Sequence, residues 1–108
     1  MATLNYVLVT PAAIADNAIV SGVAGQRVRV VSFIMSASGG GNTATWKSAT
    51  TAISPAIVMA ANEKVIVSGA PRDVYLFQTA AGAALNLALT AATAVGVSLT
   101  YIQTDADN

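Results

Sequence analysis

The chain has 108 residues and a net charge of zero, with five basic against five acidic side chains, so that only 9% of it is charged. Soluble domains usually carry about 25% charged residues, and a surface so poor in charge does little to repel a neighbouring molecule. Histidine and cysteine are both absent, which excludes disulfide staples, thiolate chemistry and the commonest zinc ligands. No basic run supplies the cationic footprint of a nucleic-acid binder.

Residues 1–108 are expected to form a single domain, too short for a second core. Residues 1–12 form an extended N-terminal arm or edge strand. Within it, Leu4, Tyr6, Leu8 and Thr10 share one face before Pro11 stops the run, and an edge strand of this kind can pair with another chain. Ile14 to Val20 reads as a weaker strand with a turn or bulge at Asp16-Asn17. Arg27 to Ser36 is the longest strong run. Val28 and Val30 point one way and Arg27 and Arg29 the other, but the phase blurs at Val31. Beyond it both faces read as apolar, the pattern of a central strand covered on both sides. Ser38-Gly39-Gly40-Gly41-Asn42 is a loop flexible enough to reverse the chain. Thr43 to Ser48 then alternates, with Ala44 and Trp46 opposite Thr43, Thr45 and Lys47.

Pro55 keeps the segment from Ile53 to Met59 irregular or at an edge. Val65-Ile66-Val67 is a short strand, Gly69 to Arg72 a tight connection, and Val74 to Thr79 the most aromatic strand. Leu85, Leu87 and Leu89 alternate, as do Val95, Val97, Leu99 and Tyr101. The leucines would scatter round a helix, so strands are expected here. With the short Thr90 to Ala94 segment between them, the two runs read as an antiparallel hairpin. Residues 103–108 make a polar, frayed tail. Although Val74 to Thr104 carries no charge at all, its period is two, and Asn86, Gln78, several threonines and two glycines interrupt it. It is not the roughly 20-residue apolar helix of a membrane span. The N-terminus lacks the basic start and apolar core of a signal peptide, and a soluble protein without an export signal is expected.

About eight short strands at this spacing predict an all-β fold, a single antiparallel β-sandwich of jelly-roll type. Its core would collect Val28, Val30, Trp46, Phe77, Leu85, Leu87, Val97 and Leu99.

Wording recurs from Gly25 to Ile102, about three quarters of the chain. It runs through Ala-Gly-Gln-Arg-Val-Arg-Val-Val-Ser at 24–32, Trp46-Lys47-Ser48, Ala52-Ile53-Ser54 and Phe77-Gln78-Thr79-Ala80-Ala81-Gly82. Ala84-Leu85-Asn86-Leu87 and Val97-Ser98-Leu99-Thr100-Tyr101 complete it. The sequence resembles small structural proteins of tailed bacteriophages that decorate the capsid exterior or serve as a similar module of the virion. That resemblance implies a trimer with no enzymatic activity and no cofactor. Its partners would be copies of itself and the major capsid protein of a phage head, with no nucleic acid and no membrane. It would be made in the host cytoplasm and located on the virion.

No assembled catalytic group is visible. Asp16, Glu63, Asp73, Asp105 and Asp107 fall in predicted turns or the tail. Ser48 and Ser54 have no histidine to activate them. Gly39 to Gly41 lacks the following Lys-Ser at P-loop spacing, and the acidic tail lacks the glycine and distal glutamate of a calcium loop. Candidate partner-contact residues are Tyr6, Arg27, Arg29, Trp46, Lys47, Arg72 and Tyr75. Trp46 has two readings, a core aromatic or an exposed platform for a sugar ring or partner, and Tyr75 shares the ambiguity. The platform reading would make the protein a receptor- or carbohydrate-binding module or the anchoring domain of a virion fibre.

Overall fold

A computed structural model describes residues 4–68 and 75–105. Its strands are β1 (Leu4–Val9), β2 (Ala15–Val20), β3 (Gln26–Ala37), β4 (Asn42–Ser48) and β5 (Thr51–Ala52). They are followed by β6 (Ile57–Met59), β7 (Lys64–Ser68), β8 (Phe77–Gln78), β9 (Leu85–Leu89) and β10 (Val95–Asp105). One sheet has the order β1-β10-β3-β7, with β8 also on β3; the other has β2-β9-β4-β5, with β6 also on β4. Every pairing is antiparallel. The chain passes back and forth between the layers, so most pairings join strands far apart in sequence, with β4 to β5 and β6 the local exceptions. This is the jelly-roll form of a β-sandwich.

The alternation of the sequence explains the layers. Inward residues of β4 (Ala44, Trp46), β9 (Leu85, Leu87, Leu89) and β10 (Val95, Val97, Leu99) are buried, while Thr43, Thr45, Asn86 and Ser98 are not. All eight expected core residues join the central cluster, Phe77 only partly buried. Phe33 of β3 and Phe77 of β8 approach Trp46 of β4 at ring-centroid distances of 5.4 and 6.0 Å. These tilted and edge-on contacts are the favoured aromatic geometries, and they tie one sheet to the other.

The loss of phase at Val31 has a local cause. Tyr101 opposes Val30 and Thr100 opposes Ser32, which leaves Val31 as the extra residue of a β-bulge. The bulge resets the alternation: Val28 and Val30 point inward before it, Phe33, Met35 and Ala37 after it. The far half of β3 is therefore not covered on both sides. Its outer face carries Ser32, Ile34 and Ser36, and Ile34 is 45% exposed.

The expected hairpin of Leu85–Leu89 and Val95–Tyr101 does not form. β9 lies between β2 and β4, and β10 lies in the other sheet between β1 and β3. Both runs turn their large side chains into the same core from opposite sides, which a hairpin within one sheet could not do. The connection is an arch, and Asn42 fixes it. The Asn42 amide nitrogen donates toward Ala91 O, Thr93 O and Thr93 Oγ1 at 2.9, 3.0 and 3.0 Å. Its Oδ1 accepts from the backbone of Thr43, Thr90 and Ala91 at 2.9, 3.1 and 3.1 Å. One buried amide thus satisfies backbone groups that a tight turn would have paired among themselves.

Two other expectations shift. The aromatic strand shrinks to Phe77–Gln78, and Val74 lies outside the described residues. Gln103 to Asp105 is not a frayed tail, because it pairs with Val28, Arg27 and Gln26.

Candidate assembly surface

The two outer faces of the sandwich differ in chemistry. That of the β2-β9-β4 sheet is polar, with Asp16, Asn86, Thr43, Thr45 and Lys47. There Lys47 Nζ lies 3.3 Å from Asp16 Oδ1, a surface ion pair of small energetic weight. Lys47 is thus already paired on its own molecule, and Asp16 sits in a strand and not in a turn.

The outer face of the β1-β10-β3-β7 sheet is apolar and hydroxyl-rich. Register places Leu8 beside Ser98, Ser98 beside Ile34 and Ile34 beside Ile66, one rung across all four strands. The next rung is Tyr6, Thr100, Ser32 and Ser68. Leu8 and Ile66 are each 69% exposed and Tyr6 64%. The Ser98 hydroxyl and the Tyr6 phenol lie 2.9 Å apart in a hydrogen bond, which holds the ring against the sheet. No charge interrupts either rung; Lys64 and Arg29 fall on rungs at either end.

Arg27, Arg29 and Tyr75 gather at one end. Arg29 Nε donates to Gln78 Oε1 at 3.0 Å, and its guanidinium carbon stands 4.9 Å from the centre of the Tyr75 ring. Tyr75 is thus half-exposed with a cation over its ring. Arg27 Nη1 donates to Thr79 O at 3.1 Å, at a groove of about 430 Å³ that Ser48, Ile53 and Gln78 also line. Trp46 is fully buried, so it is a core aromatic and offers no platform. Arg72, with Asp73 and Asp107, lies outside the described residues. Of the predicted contact residues the structure brings only Arg27, Arg29 and Tyr75 to one region. Tyr6 joins a different surface with Leu4, Leu8, Ile34 and Ile66, none of which charge or aromatic character singles out in the sequence. The shared face of Leu4, Tyr6 and Leu8 was the available signal; the bulge concealed Ile34.

A second opening lies at the side of the sandwich between β7 and β6. This cavity of about 360 Å³ is lined by apolar side chains, with Val65 and Val67 of β7 across from Ile53, Pro55 and Ile57.

The two serines considered in the sequence are bound to backbone groups. Ser54 Oγ accepts from Trp46 N and donates to Pro55 O, and Ser48 Oγ accepts from Ala80 N. The glycine loop leads into β4 instead of a helix. Among the described residues there is no cluster of three or more acidic, histidine or cysteine ligands and no helix long and apolar enough to cross a membrane.

No family model and no curated protein matches this chain. A chain from a solved structure of disulfide-linked pili formed by Bacillus endospore appendages is similar in fold. It is 18% identical, with a TM-score of 0.57, over 96% of this chain and 88% of that one. Lacking cysteine, this chain shares the β architecture and not the covalent link.

Proposed function

We propose that this protein is a non-enzymatic structural subunit that works in many copies on the surface of a larger protein particle. One observation carries the reading: the uninterrupted rung Leu8–Ser98–Ile34–Ile66 on an open sheet face. A solitary soluble protein seldom leaves such a face uncovered. The resemblance from Gly25 to Ile102 specifies the particle as a phage head, with the chain as a trimeric decoration protein on its outside. Added interface between subunits and shell would resist outward pressure, and repetition over a lattice lets each contact be individually weak.

Cosedimentation with heads that lack the protein tests this. Saturable binding is expected, lost in the Ile34→Lys variant while its melting curve is unchanged. A stable monomer that binds no head at any concentration would remove the proposal. A second reading, a subunit of a fibrous appendage, is favoured by the fold shared with the pilus chain. Electron microscopy of concentrated protein separates the two, since the appendage reading requires filaments without any head. A glycan-binding platform at Trp46 has no support, because that ring is enclosed.

A further inference from the structure

We infer that copies of this chain join edge to edge, with β1 of one molecule pairing against β7 of the next; this rests on the multi-copy reading and names its seam. β1 and β7 are the two ends of one sheet. Among the described residues β1 pairs only with β10, and β7 only with β3. β1 carries no charged residue and β7 carries Lys64 alone. Proteins usually guard such edges with charges, prolines or bulges.

Direction and phase both fit. Strands alternate from β1 through β10 and β3 to β7, so β7 of one copy beside β1 of another continues the antiparallel order. Facing is preserved when Leu8 stands opposite Ile66, which sets Tyr6 opposite Ser68, Val7 opposite Val67 and Val9 opposite Val65. A shift by one residue would turn every apolar side chain to the wrong face. A shift by two would put Leu8 against Lys64 or Ser68. Only the stated register joins the two most exposed members of the rung and brings Val7 and Val9 against the valines at the cavity between β7 and β6.

A two-fold pairing of β1 with β1 would leave that cavity and Ile66 uncovered; the head-to-tail seam covers both edges in one contact. Being head-to-tail, it closes into a ring or extends as a filament according to the rotation between copies. One strand seam covers less than the roughly 800 Å² per partner of a standard stable interface, so it holds through repetition and not as an isolated dimer.

The chain has no cysteine of its own, and directly opposed residues on antiparallel strands come within disulfide reach. Leu8→Cys and Ile66→Cys proteins, mixed with oxidised glutathione, are expected to give the mixed dimer in at least about fivefold excess over either homodimer, given that spacing. The double variant should give a ladder of trimers and higher species. Prevalence of the Leu8→Cys or Ile66→Cys homodimer would overturn the seam in favour of two-fold edges. Multi-copy mass in sedimentation without any mixed cross-link would overturn the seam and leave the subunit reading standing. Monomer alone at every concentration would end both.

Discussion

Asn42 shows how much one side chain can organise. Its carboxamide bonds backbone groups on both sides of the β9–β10 arch, and Thr93 Oγ1 returns a 2.6 Å hydrogen bond to Gly41 O. Asn42→Ala strands several buried donors and acceptors at once, and a loss of about 2–4 kcal/mol in chemical denaturation is expected. Beside it, Gly41 has a φ of +68°, and a Cβ there would meet Met59 O at 2.9 Å. Gly25, at +76°, has nothing within 4 Å. Gly41→Ala should therefore cost clearly more than Gly25→Ala, where only the backbone preference of about 1 kcal/mol is lost. Trp46 invites a spectroscopic check. Fully buried between Phe33 and Phe77, it should emit at short wavelength and resist acrylamide, and no sugar should change its spectrum. An emission maximum like that of free tryptophan would contradict the enclosed position.

At the scale of the element, alternation told which side chains face inward but not which strand lies beside which. Leu85, Leu87, Leu89, Val97 and Leu99 are core residues as the sequence implies. Period two cannot separate two strands that sit side by side from two that face each other, since both bury one face. The cue lay in the connection. Thr90 to Ala94 has no Asn-Gly or Asp-Gly pair, the chemistry that tight hairpins require. A variant with Asn-Gly in place of Ala91-Ala92 is expected to be destabilised, because the arch must span two layers and present Ala91 to Asn42; a gain in melting temperature would argue for a hairpin after all. In β3 the blurred phase at Val31 was legible as a disturbance, while its meaning was not. A bulge and a doubly covered strand write the same local pattern, and only the pairing of Thr100 and Tyr101 with Ser32 and Val30 distinguishes them. Deletion of Val31, the extra residue, leaves Val30 and Ser32 opposite Tyr101 and Thr100 with every inward side chain still inward, so a cooperative unfolding transition is expected to survive; its loss would contradict the bulge.

For the whole molecule, the all-β class and the sandwich were legible because a chain with so regular a two-residue period has few other ways to bury its leucines and valines. The proposed assembly face was only half legible. Tyr6 and Leu8 advertise themselves on an N-terminal strand, but Ile34 and Ile66 look like core residues until the register is known. Among the described residues, the charged side chains singled out in the sequence are engaged within their own molecule, Lys47 with Asp16, Arg27 with Thr79 O and Arg29 with Gln78. Self-association should thus depend weakly on salt, because the contact face carries few charges to screen. Sedimentation at low and high ionic strength checks this, and dissociation by salt would point to the Arg27–Arg29 end instead.

The pairing of β1 with β10 has a temporal side. β1 leaves the ribosome well before the strand that will shelter one of its flanks, and β2 likewise precedes β9. Loop closure over such separations is slow. In the interval a growing chain shows other nascent chains a greasy, neutral ribbon, so crowding on a polysome would favour tangled partnerships over orderly ones. Slower translation or lower expression temperature should raise the recovered fraction of properly finished molecules.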